Sequence, residues 1–250
     1  MKVIDCFWEL QNLGCRTVEI QIENGDTFSS ETISDSTRNY DYAVIKVPMN
    51  MIDFNRGVSD LGFFLMETQM NISKTYKSFN FDDRLIRQVY PHLSERIIES
   101  KEELESVVYR ITPDMFSTDR IYLDSFFPKQ SSRNRYVNWM KTEFEKGTSK
   151  ITEFSYDDQN VGFTMYRETE PGIRYGFLGG VYEAFQSMGL GVATAAIGLI
   201  TAHKTQKPFK KIHTAISSNN IPMVQIYNYL NFKIDSMTYV YVKHFNHDSI

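Results

Sequence analysis

One stretch limits the folds open to this chain more than any other. An extended segment, Arg174 to Tyr182, meets the turn Gln186-Ser187-Met188-Gly189-Leu190-Gly191, which opens an apolar helix, Gly191 to Lys204. A strand feeding a helix through a tight glycine turn belongs to a layered α/β architecture. The turn also has a chemical meaning. Backbone N–H groups at a helix opening converge on one place, and the helix dipole adds positive potential there, which makes a seat for phosphate oxygens. Two common phosphate loops fail on spacing. A Walker-type loop ends in Gly-Lys-Ser/Thr, and no Lys follows Gly191. A dinucleotide fingerprint needs a third Gly or Ala where Thr194 stands, and an acid further on where Lys210 and Lys211 stand.

The remaining chain alternates in the same way. Tyr42 to Val47 is a buried strand ending at Pro48, and Leu61 to Leu65 is another, while Asn24 to Asp41 is polar and reads as a loop. Ser94 to Ser106 carries five Glu and reads as a charged helix, followed by a fresh strand at Val107 to Ile111. A domain boundary is therefore expected near residue 105, dividing an N-terminal domain (1–105) from a C-terminal domain (106–250). Thr112-Pro113-Asp114 starts a helix. A longer one runs from Ser131 to Lys146, with Tyr136, Met140 and Phe144 on one face and Gly147 at its end. Strands follow at Lys150 to Tyr156 and Gly162 to Arg167, joined by the turn 157–160, and another at Ile212 to Ile216. Pro222 to Leu230 is a short helix, and Phe232 to Lys243 the last strand or pair. No internal repeat is visible in the sequence.

Composition narrows the class. The net charge of −4 argues against a broad electrostatic grip on nucleic acid, and the longest apolar stretch, Leu190 to Ala202, is too short to cross a membrane. Cys6 and Cys15 are the two cysteines; they build no disulfide framework or four-thiolate zinc site and fit a reducing cytosol. The opening Met1-Lys2-Val3-Ile4-Asp5 reaches an acid before an apolar h-region forms, so a cytoplasmic protein without signal peptide or bound metal is expected.

The turn at 186–191 resembles the acyl-coenzyme A turn of the Gcn5-related N-acetyltransferase (GNAT) superfamily, Gln/Arg-x-x-Gly-x-Gly/Ala, with Gln186, Gly189 and Gly191 at its defined positions. About 30 residues later that superfamily has a strand, then Asn-x-x-Ala-x-x-x-Tyr on a short helix, then Gly-Phe. Here Asn220 and Tyr227 match, Met223 stands for Ala, and Asn231-Phe232 for Gly-Phe. Asn is the residue most able to imitate Gly in a left-handed helix end. The resemblance covers residues 107–245. It implies a GNAT fold with a mixed, splayed central sheet flanked by helices, plus a smaller N-terminal α/β domain resembling a partial GNAT unit. Within the superfamily the chain is most similar to the dTDP-amino-sugar N-acyltransferases, through Trp8-Glu9…Leu13-Gly14, Leu61-Gly62-Phe63 and the helix carrying Arg133, Arg135, Tyr136 and Trp139.

What the resemblance implies is amide formation, with acyl-CoA as cosubstrate and a dTDP-linked amino sugar as acceptor, in surface polysaccharide synthesis. A GNAT enzyme acting on a peptide or another small amine, and a non-catalytic acyl-CoA-binding module, are the alternatives. The pyrophosphate falls to the N–H groups of Gln186, Ser187, Met188, Gly189, Leu190, Gly191 and Val192, with Asn220 and Tyr227 also at the coenzyme. The backbone of Leu178, Gly179 and Val181 is the candidate for the thioester carbonyl, with Gly179-Gly180 either admitting coenzyme or forming a bulge. Tyr227 is the candidate acid for the leaving thiolate, although it shares a helical face with Met223, Ile226 and Leu230. Its transfer is uphill by about 2 kcal/mol for unperturbed groups. Glu183 is the candidate base acting through water; His203 and His213 are further titratable options, each with a blander structural explanation. Arg133, Arg135, Tyr136 and Trp139 would hold the nucleotide sugar, unless Tyr136 is core and both Arg are solvated. Lys204, Lys207, Lys210 and Lys211 would meet the 3′-phosphate of coenzyme A, or simply be solvated. Phe7, Trp8, Phe63 and Phe64 mark either a homodimer face or core. Met188 and Met223 leave room for an acyl group larger than acetyl, such as 3-hydroxybutanoyl.

Overall fold

Branched and aromatic runs set the strands, and the side chains of Ser29, Asp83, Ser100, Asp119 and Asn220 cap five of the helices. In the computed structural model, which describes residues 1–245, the order begins β1 (Lys2–Asp5), α1 (Glu9–Leu13), β2 (Thr17–Gln21), α2 (Ser30–Thr37) and β3 (Tyr42–Pro48). It continues through α3 (Ile52–Asp60), β4 (Phe64–Thr75), α4 (Arg84–Val89), β5 (Leu93–Ile97), α5 (Lys101–Tyr109), α6 (Arg120–Leu123) and α7 (Lys129–Lys146). The remainder is β6 (Lys150–Tyr156), β7 (Gln159–Glu170), β8 (Ile173–Val181), α8 (Gly191–Lys204), β9 (Lys211–Ser217), α9 (Ile221–Tyr229) and β10 (Lys233–His244). Short 3₁₀ turns stand at Tyr76–Ser78, Pro113–Phe116 and Glu183–Met188. The last five residues of the expected C-terminal domain (106–250) lie outside the described residues, and residue 105 falls inside α5.

All ten described strands join one sheet, in the order β1-β2-β3-β10-β4-β9-β8-β7-β6-β5. The order is nearly palindromic about its centre. In one half β2 and β3 pair parallel across α2, and in the other β8 and β9 pair parallel across α8. Each half then continues through a helix, α3 or α9, into a long strand that crosses to the far side of the centre. Thus β4, from the first half, pairs antiparallel with β9, and β10, from the second, pairs antiparallel with β3. The two exchanged strands also pair with each other. The succession strand–helix–strand–helix–strand therefore occurs twice although the sequence shows no repeat.

Helices cover both faces. On one, α8 is buried nearly all round, with Ala193, Ala196, Leu199 and Ile200 packed among Ile86 and Val89 of α4, Ile72 of β4 and Leu230, with Met223 and Ile226 of α9 beside them. That enclosure accounts for the uninterrupted apolar run of α8. On the same face α2 and α3 cover β2, β3 and Tyr241. The opposite face holds α5 and α7 over Ile151, Phe163 and Met165. Ile121 and Phe127 cover Tyr42, Val44, Val240 and Val242 beside it.

Several sequence expectations are corrected. Ser94 to Ile97, the start of the segment read as helix, lies in the edge strand β5, and Val107-Val108-Tyr109, read as strand, ends α5. The capping box of Ser100 and Glu103 starts that helix, and Leu104, Val107 and Val108 face the core at helical spacing. The polar loop 24–41 contains α2, capped by Ser29, whose hydroxyl accepts from the Thr32 N–H. The helix at Pro113 is one 3₁₀ turn. Phe63 is core, whereas Phe7, Trp8 and Phe64 are exposed.

Candidate acyl-transfer site

The parallel pair β8–β9 is the centre of the site. Its ladder runs from Ile173↔Lys211 to Gly176↔Thr214 and stops there. Past that point β8 pairs only outward, with Met165, Thr164, Phe163 and Gly162 of β7 opposite Leu178, Gly179, Gly180 and Val181. Ala215, Ile216 and Ser217 of β9 likewise pair only with β4. Two strands of one sheet thus diverge into a fork, whose inner edges present backbone groups that a ligand can use. A bulge starts the divergence: Met165 faces Leu178 but Tyr166 faces Gly176, so Phe177 is the extra residue. The bulge is at Phe177, not at Gly179-Gly180. At Gly179 the constraint is a close approach, since a Cβ would meet Thr194 Cγ2 at 3.0 Å and the Phe163 carbonyl at 3.2 Å.

At the mouth of the fork the chain turns through the 3₁₀ segment into Gly189, at φ +73, a conformation that favours glycine. Helix α8 then begins with Leu190 at its N-cap and no side-chain cap, so no side chain satisfies its first N–H groups. Gln186 Nε2 reaches back 3.4 Å to the Val181 carbonyl, tying the turn to the fork. Gln186, Ser187, Met188 and Gly189 are exposed, as a binding turn requires, and Leu190 and Val192 are anchored in the core.

Helix α9 forms the next wall. Asn220 caps it, its side chain accepting from the Met223 N–H at 3.3 Å, with Pro in the first turn. At its far end Asn231 has φ 56, the left-handed state that a Gly would take. Tyr227 is half-buried against Phe232, ring centroids 4.8 Å apart, and among the described residues its hydroxyl has no hydrogen-bond partner. Burial pushes its pKa up to about 12. Tyr227 therefore remains protonated at any physiological pH, and full transfer to a thiolate of ordinary pKa is uphill by about 5 kcal/mol. The energetics suit a hydrogen-bond donor to sulfur better than an equilibrium proton source. Glu183 is exposed at the mouth of the fork.

The α7 side carries the expected acceptor residues, of which Trp139 alone is exposed. Arg133 donates to the Ile111 carbonyl at 2.6 Å and the Val108 carbonyl at 3.3 Å, holding the end of α5. Arg135 grips Glu9 of α1, with Nε–oxygen distances of 2.8 and 3.1 Å, and lies 3.9 Å from Asp119. Tyr136 donates to Asp119 at 2.7 Å. These three tie α7 to α1, α5 and the start of α6, so both guanidinium groups are already engaged within the fold, Arg135 by carboxylates and Arg133 by backbone carbonyls. Trp139 is 36% exposed and packs on Phe177, the bulge residue, at 5.0 Å.

The other titratable candidates lie elsewhere. His203 stacks on Phe81 at 4.1 Å and meets the Tyr90 hydroxyl at 2.8 Å, at the end of α8 remote from the turn. His213, beside Tyr175, has a buried Nε2 without a partner among the described residues; burial and Lys211 lower its pKa, keeping it neutral. Lys204 bonds the Leu93 carbonyl at 2.5 Å and Lys211 pairs with Asp235 at 3.3 Å. Lys204 sits about 20 Å from the turn 186–191, 13 residues along α8 at about 1.5 Å each, and Lys211 opens β9 opposite Ile173, at the other end of β8 from that turn. The sequence reading missed β4 as the neighbour of β9. Pairings such as Gln69↔Ser217 link positions far apart in the chain, and no linear motif announces them.

Among the described residues no group of three or more His, Cys, Asp or Glu could hold a metal ion, and no helix is long and apolar enough to cross a membrane. No protein-family model matches the sequence. No curated protein matches it either. Solved structures do. A conserved protein of Staphylococcus epidermidis described as functionally unknown matches at TM-score 0.61 and 12% identity, covering 92% of this chain and 84% of that one. A GCN5-related N-acetyltransferase from Kribbella flavida matches at TM-score 0.57 and 12% identity, over 93% and 83%. A tandem GNAT protein from the clavulanic acid biosynthesis pathway matches at 0.54 and 12%, over 91% and 75%. The chain has the GNAT fold.

Proposed function

We propose that this chain is an acyl-CoA-dependent N-acyltransferase that joins the acyl group to a primary amine by direct attack within a ternary complex. One observation carries the reading: the β8–β9 ladder opens at Gly176↔Thr214 directly beside an uncapped helix start. The fork offers backbone partners to the pantetheine amides and the thioester carbonyl, and the turn 186–192 offers N–H groups to the pyrophosphate. The amine nitrogen attacks the carbonyl carbon, the C–N bond forms as the C–S bond breaks, and the ammonium proton leaves to solvent, with exposed Glu183 a nearby acceptor through water. Tyr227 donates a hydrogen bond to the departing sulfur.

For the acceptor, a dTDP-linked amino sugar rests on Trp139, whose exposed ring offers a stacking surface next to the bulge. A smaller amine without a diphosphate is favoured by a different observation: Arg133 and Arg135 already have internal partners. The test is release of free CoA thiol from acetyl-, propionyl- and 3-hydroxybutanoyl-CoA, each with dTDP-3-amino- and dTDP-4-amino-6-deoxyhexoses and a panel of small amines. Turnover with one pairing, reduced in Tyr227→Phe, is expected. Absence of CoA binding by the purified protein overturns the reading.

A further inference from the structure

On the face of the sheet opposite α8, apolar clusters cover the two flanks and leave a polar floor between them. Helices α5 and α7 cover Ile151, Phe163 and Met165, and Ile121 and Phe127 cover Tyr42, Val44, Val240 and Val242. Between these clusters lie β9, β4 and the first part of β10. Ile212 and Ile216 of β9 and Met70 and Ile72 of β4 pack toward α8, so by alternation Ala215, Gln69 and Asn71 face the other way. A helix-covered face would be apolar here, in the middle of ten strands. Instead Gln69 and Asn71 are half-buried and Ser236 is exposed.

One row of this floor runs straight out from the fork. Ala215 is the first residue of β9 past the ladder that ends at Gly176↔Thr214; it pairs with Asn71 of β4, and Asn71 pairs with Ser236 of β10. The Asn71 amide donates to the Ser236 hydroxyl at 2.9 Å. At Ser236 the row meets a cavity of about 480 Å³, walled by Glu23 and Asn24 after β2, Pro48 and Asn50 at the end of β3, and Ser236 and Thr238 of β10. That volume suits a small ligand. Among the described residues its lining holds no Lys or Arg and one carboxylate, Glu23. Amide and hydroxyl side chains both donate and accept, which matches hydroxyl groups, whereas a phosphate here would meet a carboxylate and no cation. Ala215 and Ser236 are two strand spacings apart, about 10 Å, a span too long for a single sugar ring.

Resting on the acyl-CoA reading above, we propose that this cavity holds the far end of the acceptor, a polyhydroxylated amine of more than one ring and without phosphate. Its amine lies at the fork, its body crosses Ala215 and Asn71, and its remote hydroxyls meet Asn24, Asn50 and Thr238. The strand exchange is what makes the subsite: β4 and β10 carry the floor from the fork of one half to the strand ends of the other.

The experiment measures thiol release from acetyl-CoA with glucosamine, with its β-1,4-linked dimer and with a dTDP-amino-deoxyhexose, and acetyl-CoA affinity by calorimetry. The KM for the dimer is expected at least about tenfold below that for glucosamine. Asn24→Ala and Asn50→Ala should each raise the dimer KM about fivefold and leave kcat, the glucosamine KM and acetyl-CoA affinity unchanged, the last showing that the variants are folded. A dimer KM no lower than that of glucosamine, a preference for the dTDP sugar, or variants that affect both amines equally overturns the inference and leaves the acyl-CoA reading standing. Without turnover, the acetyl-CoA complex is titrated with the dimer: binding that Asn50→Ala weakens supports the inference, and no binding overturns it. Failure to bind acetyl-CoA overturns both readings.

Discussion

Glu153 is fully buried on β6 and is the acceptor for three donors: Arg96 at 2.7 Å, Arg110, and the Tyr182 hydroxyl at 2.8 Å. Tyr182 directly follows Val181, the last residue of β8, so this carboxylate pins the outer end of the fork. Substituting Glu153→Gln keeps the volume and removes the charge, and turns an amide NH₂ toward a guanidinium. A hydrogen bond to a charged group contributes about 1.5–3 kcal/mol. The share of Arg96 is discounted below about 1 kcal/mol, because its side chain is 43% exposed and keeps Glu103 at 2.5 Å. Arg110, 29% exposed and stacked over the Tyr182 ring, together with Tyr182 brings the loss to about 3 kcal/mol. For 250 residues the unfolding entropy is about 0.5 kcal/mol/K, so the Tm should fall by about 6 °C. Differential scanning calorimetry and urea titration measure it, and the KM for acyl-CoA should rise as the fork loosens. A fall in Tm under about 2 °C, with unchanged KM, refutes the reasoning that this cluster holds the fork.

Tyr227→Phe should lower kcat by about 10- to 100-fold with little change in CoA affinity or Tm, measured by thiol release and calorimetry; an unchanged kcat removes Tyr227 from the chemistry. Because burial raises its pKa to about 12, the wild-type kcat should show no alkaline inflection from this group below that pH. The stability contributed by its neutral form is complete below the unfolded value near ~10 and is lost as pH rises through about 12, which alkaline unfolding curves should show. Gly189→Ala places a Cβ at φ +73 and should cost about 1 kcal/mol and weaken CoA binding, read by denaturation and titration. Asn231→Gly should be neutral or stabilising and Asn231→Ala destabilising by about 1 kcal/mol, and the reverse order would deny the left-handed helix end at φ 56.

The regions of the molecule that local chemistry dictates were legible in the sequence. Helix α8 spans Gly191 to Lys204 and β6 spans Lys150 to Tyr156, as their apolar patterns predict. Asn231 takes the conformation expected of a glycine substitute. What failed was decided by packing. Leu93–Ile97 is an edge strand carrying Glu95 and Arg96, and charges guard an edge as readily as they clothe a helix. Val107 and Val108 favour strands, but Leu104 one turn earlier and the cap at Ser100 hold them in α5. Arg133 and Arg135 looked like phosphate ligands because residue type says nothing of partners; Glu9, one of those partners, is 126 positions from Arg135. The fork itself was placed on β8 from its turn, whereas its neighbour across β9 could not be guessed.

The exchange of β4 and β10 also has a bearing on how the molecule comes into being. A ribosome completes β3 and β4 long before it reaches their common neighbour, since Tyr42 pairs with His244. Until then both long strands carry open edges, including Phe64 and Leu65, which remain 65% and 43% exposed even in the finished sheet. The nascent chain therefore spends most of its synthesis as an incomplete sheet that invites foreign strands. Closure comes late and all at once, when the last described strand threads between two that have been waiting for it, so folding should be slow and dominated by this one long-range step.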